Sequence, residues 1–486
     1  MSESVMQVLD RLMAKDAEKK PAGQLRTVDS KGLIDDTVLK LLKGQTYPKG
    51  REWLSKLEKE LEEPTRIIRI TKLHPLDGAH ALALAIETLY GFAKTESSMG
   101  MFGPNPPSMI DVQTGIGTSK RVPWGELSTP DLGDQGRIAT TVAYDDNGRP
   151  VFQVVVTCRK KHQESVDTLL ALMEKIGHEQ SIYRGKALKI DTRSLGPKER
   201  DGNPTALAPK FLDLSRVNPD ELTFDELTMN TIEYHLFAKL KHTQHFRNSG
   251  MNLKDGVLLH GVYGTGKSMT ADCTAKLAVM NGWTYMYIDD ARKIKEAYYE
   301  ALAYAPTLLF VEDVDKVVGG ARDSDMDQLL NVMDGTESKG REVIVVGTTN
   351  EPLKVHKAFL RAGRLGTTIE LKPPTVEVAS RLIRLYGGKD LRDGINLTVV
   401  GKMLEGVIPA DIRKAVETAR IVAFGRNPTA SKVEVSERDI EIAAAGLEAA
   451  KAFFKSHETP PTVLEEIGRA SVNRLGELVA SNGNTK

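Results

Sequence analysis

A chain of 486 residues, 40% apolar and 27% charged, is too long for one ordinary domain and has the composition of a soluble globular protein, so about two to four domains are expected. Its 66 Lys and Arg balance 66 Asp and Glu, which excludes bulk electrostatic attraction to nucleic acid or to an anionic membrane. The two cysteines, Cys158 and Cys273, form no CxxC or metal spacing, and no run approaches the ~20 apolar residues that span a bilayer; the expectation is a cytoplasmic protein with neither disulfide framework nor membrane anchor.

Residues 1–45 read as an amino-terminal segment, with a short amphipathic helix over Val5 to Met13 and a linker over Asp16 to Gly23. Residues 46–205 read as a separate α/β or α+β module. It opens with a charged helix (Arg51 to Glu62), a strand (Arg66 to Thr71) and an apolar helix (Gly78 to Ala93). A loop follows from Ser97 to Ser108, whose Met99, Met101 and Phe102 either pack beneath it or form an adaptable contact surface. Strands around Ile138–Ala143 and Phe152–Cys158 flank the hairpin turn Asp145-Asp146-Asn147-Gly148. A helix (Gln163 to His178) and a strand (Ala187 to Ile190) complete the module, which carries no catalytic constellation. Gly, Pro and charge over Gly196 to Lys210 mark its end.

Residues 206–370 alternate strands and helices, the pattern of a parallel sheet covered on both faces. Within them the apolar run Gly256 to His260 reads as a buried strand and Met269 to Met280 as a helix. Between lies Gly261-Val262-Tyr263-Gly264-Thr265-Gly266-Lys267-Ser268, the spacing of a phosphate-binding P-loop in the context the motif requires. The glycines let backbone N–H groups turn toward an anion at the positive end of the helix. Lys267 would reach the β- and γ-phosphates of a nucleotide, and Ser268 would place its hydroxyl on Mg²⁺. About 40 residues on, the apolar run ending at Val311 delivers two carboxylates, Glu312 and Asp313, to the mouth of the sheet. One can hold Mg²⁺ and the other can orient or deprotonate an attacking water. Residues 371–455 read as a helical lid, with helices over Glu377–Leu385, Thr398–Glu405, Pro409–Phe424 and Ser436–Phe454. The tail, 456–486, holds a further helix from Pro461 to Ala480.

Over residues 225–445 the chain resembles the AAA+ ATPase superfamily, and its AAA clade in particular. Gly256 to Ser268 is similar to the clade's Walker A block and Leu308 to Asp315 to its Walker B block. Asp327 to Gly335 resembles its helix ending in Met-Asp-Gly, and Val343 to Asn350 its sensor-1 strand. Phe359 to Leu365 resembles the end of the second region of homology, and Gly406 to Ile412 the lid motif beside the adenine. The resemblance implies that Asn350 bonds the γ-phosphate or the attacking water. It implies that Arg361 and Arg364 are fingers reaching a neighbour's ATP, that Met269 and Ala410 join the nucleotide site, and that the chain forms a homo-oligomer, a hexamer. A planar guanidinium suits the charge of a transferring phosphoryl group.

Two departures from the family stand out. The acidic pair is inverted: by position Glu312 serves the metal and Asp313 the water, as in the mitochondrial Rieske-protein translocase branch, whose membrane helix this chain does not show. The stretch Ile288 to Pro306 lacks the aromatic-x-Gly of a threading pore loop; Tyr298 and Tyr299 read as helical. Arg413 falls near the place of a lid arginine that other AAA+ clades use and the AAA clade generally does without. The reading that leads is an ATP-hydrolysing ring that remodels an unidentified protein target. A nucleic-acid-directed ATPase or loader, which the neutral charge does not indicate, and an ATP-gated scaffold with negligible turnover remain alternatives.

Overall fold

The structure, a computed structural model, describes residues 56–457 apart from 58, 93, 101–102, 106, 133–135, 192–203, 319–329, 331–332, 334–339, 362, 427 and 429–431. The helices expected over Val5–Met13 and Pro461–Ala480 lie outside these residues, as do Met101, Phe102, most of Asp327–Gly335 and half of Arg51–Glu62.

The first sheet grows from strands whose alternate residues face one core. Strands β1 (Pro64–Ile70), β2 (Lys94–Thr95), β7 (Glu126–Ser128), β8 (Arg137–Tyr144) and β9 (Pro150–Arg159) pair antiparallel in the order β1-β9-β8-β7-β2. The 144–150 hairpin turns where Asp-Asp-Asn-Gly predicts it, with the Asp145 carboxylate accepting from Asn147 N–H and Arg149 N–H at 3.0 Å each. Helices α1 (Pro75–Tyr90) and α2 (Gln163–Glu179) pack together on the sheet. Val166, Leu169, Leu170, Met173 and Ile176 recur at helical spacing on α2 and are all buried. Two antiparallel pairs escape the sequence reading. β3 (Ser98–Gly100) pairs with β4 (Gly103–Asn105) inside the stretch read as a loop, and β5 (Ser108–Gly115) pairs with β6 (Thr118–Trp124).

The second sheet has seven strands: β10 (Ala187–Lys189), β11 (Lys210–Phe211), β12 (Asp255–His260), β13 (Thr284–Ile288), β14 (Thr307–Val311), β15 (Val343–Thr349) and β16 (Thr367–Glu370). Their order is β11-β10-β13-β14-β15-β12-β16, parallel throughout except for β11. β14 and β15 are buried along their whole length, which is why they read as unbroken apolar runs. Helices α3 (Glu226–Ile232), α4 (Ala238–Lys241), α5 (Thr243–Asn248), α6 (Lys267–Met280), α7 (Ile294–Ala303) and α8 (Asp315–Val318) complete this layer. Tyr298 of α7 is 1% exposed, so it packs in the core, as its helical position suggests.

Here the structure corrects the domain reading. The strand at Ala187–Ile190, assigned above to the first module, is β10 of the parallel sheet, where Ala187, Leu188 and Lys189 pair with Tyr285, Met286 and Tyr287. Three residues carry no periodicity that could tell one sheet from another. Nor is the first module an independent globule. Leu82 and Ile86 of α1, Val154 of β9 and Met173 of α2 share one continuous core with Tyr298 of α7, Leu309 of β14 and Val345 of β15. The opposite face of the parallel sheet has its own core, built on Trp283, Tyr285, Phe310 and Val346.

Polar groups fasten the same junction. The Asp77 carboxylate of α1 accepts from Ser181 Oγ at 2.7 Å, Ile182 N–H at 3.0 Å and Tyr304 Oη at 3.2 Å. Arg149, at the end of the 144–150 hairpin, pairs with Glu300 of α7 at 3.3 Å, both nearly solvent-free, and donates to Lys72 O at 2.9 Å. Buried ion pairs survive only where their remaining donors and acceptors are satisfied, as here.

The lid comprises α9 (Val376–Gly387), α10 (Leu397–Met403), α11 (Pro409–Arg426) and α12 (Glu437–His457), close to the four helices expected. Thr375 and Asn396 cap α9 and α10. Leu382, Ile383, Val400, Ile412, Val416 and Ile440 form a core separate from the others. Arg381 Nη2 to Phe224 O, 2.9 Å, ties the lid back to the large domain. Among the described residues no helix is long and apolar enough to cross a membrane.

Candidate functional site

The carboxyl ends of β12, β14 and β15 open into one cleft of about 520 Å³. Its walls include Tyr263 to Met269 from the glycine loop, Glu312 and Asp313, Asn350, and Ala410 from the lid. Gly261 and Val262 complete the loop, and both carbonyls accept from Lys267 Nζ, at 2.8 and 2.9 Å. The structure thus brings together eleven of the fifteen sequence-derived site residues around one space, with Gly261 and Val262 joined to it through Lys267.

The loop is built for an anion. Gly264 has φ +79°, the left-handed region that favours glycine, and a Cβ there would also push on Ile408 Cδ1 of the lid, 2.5 Å away. Helix α6 starts directly after Gly266 with no side-chain cap on its first N–H groups. Uncapped N–H groups at a helix start favour a phosphate. Burial pulls the Lys267 ammonium below its ordinary range, and the Asp313 charge partly restores it.

The acidic turn is held from several sides. Glu312 N–H donates to Ile288 O at 3.3 Å. Asp313 N–H donates to Thr348 Oγ1 at 3.2 Å and Val314 N–H to Thr348 O at 2.9 Å. Asp313 has φ +47°, the single non-glycine residue with positive φ among those described. A left-handed aspartate swings its carboxylate off the strand direction, and such backbone settings concentrate at functional sites. Lys316 of α8 meets the Asp313 carboxylate at 2.6 Å. The Asp272 carboxyl is raised above its ordinary range by burial first and by the Glu312 charge second. Burial first, and the Glu312 charge second, push the Tyr287 phenol well up.

Asn350 lies at the end of β15, and its Oδ1 is buried with no hydrogen-bond partner among the described residues. A buried polar atom without a partner carries a penalty unless a ligand or water completes it. The donor set fits Mg²⁺ and a nucleotide: a hydroxyl at Ser268 and a carboxylate at Glu312 are hard oxygen ligands, and Mg²⁺ commonly takes one or two protein oxygens beside phosphate and water. No cluster of three His, Cys, Asp or Glu able to hold a metal unaided exists among the described residues.

The two arginines part company. Arg361 is exposed. Arg364 is buried, with Nη1 donating to Ala358 O at 2.7 Å, so within this chain it braces its own turn. The sequence shows a positive residue at the family's place but cannot show which way it turns. The cleft also has walls that the sequence reading passed over: Leu222, Thr223 and Phe224 of the linker before α3, and Leu382 and Tyr386 of α9. Arg413 lines it too, its guanidinium 5.1 Å from the Tyr386 ring centre. Apolar residues ahead of the P-loop could have signalled a base-binding wall, had their distance from the loop been known.

Comparison with known proteins meets the same segment. Residues 257–373 match the family described as "ATPase family associated with various cellular activities (AAA)". Residues 257–373 thus form an AAA ATPase domain. The chain is 29% identical over 217 residues to Protein SAV of Sulfolobus acidocaldarius, covering 41% of the chain and 28% of that protein. It is 27% identical over 255 residues to the ATP-dependent zinc metalloprotease FtsH 2 of Alkaliphilus metalliredigens, covering 49% and 37%. Against the 26S proteasome regulatory subunit 8 homolog of Saccharomyces cerevisiae the identity is 28% over 243 residues, covering 46% and 58%. The chain therefore spans from under a third to just over half the length of these relatives.

Proposed function

We propose that the chain is a Mg²⁺-dependent ATPase working in a homo-oligomeric ring, a hexamer, that remodels protein assemblies. The observation that carries this reading is the convergence of Lys267, Ser268, Glu312, Asp313 and Asn350 on one cleft roofed by the lid. Lys267 and the α6 N–H groups would bind the phosphates. Ser268 and Glu312 would hold Mg²⁺, which supplies neutralising charge beside the phosphates when bound. Asp313 would take a proton from water as that water's oxygen bonds the γ-phosphorus and the bond to the β–γ bridging oxygen breaks, leaving ADP and phosphate. Asn350, with its uncommitted Oδ1, would orient the water. Exposed Arg361 would reach the neighbour's ATP.

Remodelling is supported by the relatives, an ATP-dependent metalloprotease and a proteasome regulatory subunit among them. A cytoplasmic site of action and a protein target follow from the same reading. An ATP-gated scaffold stays in view because Lys316 is paired with Asp313, the carboxylate assigned to the water.

Steady-state phosphate release against protein concentration, for wild type and Asp313→Asn, tests the proposal. The expected result is a rate per subunit that rises with concentration and collapses in the variant. Background rates in both, with ATP still bound, would overturn the ATPase reading in favour of the scaffold.

A further inference from the structure

β13 and β14 run parallel, with Tyr287 in register with Phe310 and Ile288 with Val311. Residues in register project to the same face of a sheet, and successive residues alternate. Tyr285, Tyr287, Leu308 and Phe310 accordingly face one core, while Met286, Ile288, Leu309 and Val311 face the other. Glu312, two residues past Phe310, continues the Tyr287 face. The Glu312 N–H bond to Ile288 O keeps the two chains paired to that point. The Tyr287 ring is itself fixed: it stacks on Phe310 at 6.1 Å with 12° between planes, and Lys189 Nζ stands 5.2 Å from its centre. Register and alternation therefore set its hydroxyl on the same side of the sheet as the Glu312 carboxylate.

We propose that Tyr287 is a positioning residue for Glu312, its hydroxyl holding the longer carboxylate of the inverted acidic pair at the metal side of the cleft. Glutamate carries one more methylene than aspartate, hence one more rotatable bond. Left alone, the carboxylate would spread over more positions, and fixing it would use up rotamer freedom. A rigid phenol from the next strand limits that spread before any metal arrives. Groups that orient metal ligands commonly change metal affinity or activity by ~10–100-fold when removed. The inference rests on the reading of Glu312 as a metal ligand given above.

Tyr287→Phe keeps the ring stack and removes the hydroxyl alone. The measurement is the dissociation constant of a fluorescent non-hydrolysable ATP analogue, in Mg²⁺ and again in EDTA. In wild type the analogue is expected to bind tighter with Mg²⁺. In Tyr287→Phe that Mg²⁺ enhancement is expected to fall by about tenfold, with the EDTA value and the nucleotide-free melting temperature unchanged. Tyr287→Phe in a Glu312→Gln background should then lose little more, because the hydroxyl acts only through that carboxylate. A Tyr287→Phe protein with the full wild-type enhancement, or losses that simply add, would overturn the positioning role and leave the nucleotide site intact. Wild-type affinity indifferent to Mg²⁺ would overturn the assignment of Glu312 itself, and the inference with it.

Discussion

Tyr304 and Asp77 stand 227 residues apart in sequence, yet the Tyr304 hydroxyl donates to the Asp77 carboxylate at 3.2 Å inside the protein. The same hydroxyl accepts from His74 N–H at 3.1 Å. Tyr304 caps the carboxyl end of α7, three residues before β14, which leads into the acidic pair. The first module is thereby fixed to the parallel sheet, while the lid keeps a core of its own. Tyr304→Phe should leave a buried carboxylate and a buried N–H each short of one bond. The expected loss is about 1–3 kcal/mol. Urea unfolding followed by hydrogen exchange at β9 and β14 checks it: both strands should lose protection together, and a first module that opens alone would contradict the shared core.

Asp77 also sets a pH dependence. Burial pushes its carboxyl up to about 6, against the pull of Ser181, Ile182 and Tyr304. The unfolded chain titrates near ~3.9, so between those values the folded state binds the proton more tightly. Folding is therefore favoured by this group at low pH, and the benefit is lost as pH rises from about 4 through about 6. The difference amounts to about 3 kcal/mol. Asp77→Asn keeps the shape and cannot ionise. Stability of Asp77→Asn relative to wild type should rise by about that amount from pH 4 to pH 7, and a difference flat across that range would refute the assignment.

How much of this was legible in the sequence depends on what each feature needs. The P-loop needs only local spacing, and Gly261 to Ser268 stands where the motif put it. The lid helices need only period, and four of four appear. The β5–β6 hairpin was missed because Val112 and Val122 are its only fully buried residues, so no alternation marks it. The Arg149–Glu300 pair, 151 residues apart, was invisible because a buried ion pair looks like two surface charges until the chain is folded. β10 was given to the wrong sheet for the same reason: partner choice is tertiary.

Gly256 is the second residue of β12, where the strand passes the Arg364–Leu365 backbone. A Cβ at Gly256 would fall 1.4 Å from Arg364 O and 2.9 Å from Leu365 N. Neither is the end of a flexible side chain, so the strand or the turn must shift. Gly256→Ala should destabilise by at least about 3 kcal/mol, above the usual range for overpacking. Gly425→Ala, where nothing lies within 4 Å of the added atom, is the matched control and should be neutral or slightly stabilising. Thermal melts of the two variants side by side decide the matter.

Arg361 and Arg364 belong to one turn and look alike in sequence, but their surroundings demand different outcomes. Arg364 is 9% exposed and bonded to Ala358 O, so Arg364→Ala removes a buried charge-assisted bond and orphans a carbonyl. It should lower stability by about 1–3 kcal/mol, in dilute protein as in concentrated. Arg361 is exposed, and Arg361→Ala should leave the melting temperature within the error of wild type. If it is the finger that acts in trans, its loss should cut phosphate release by about 10³-fold or more at saturating ATP. Mixing Arg361→Ala with Lys267→Ala, each inactive alone, offers the sharper check. Rings of mixed composition place an intact Arg361 from one subunit beside an intact Lys267 from the next, so part of the activity should return. Activity that stays at background at every mixing ratio, while the subunits still co-assemble, would remove Arg361 from the site.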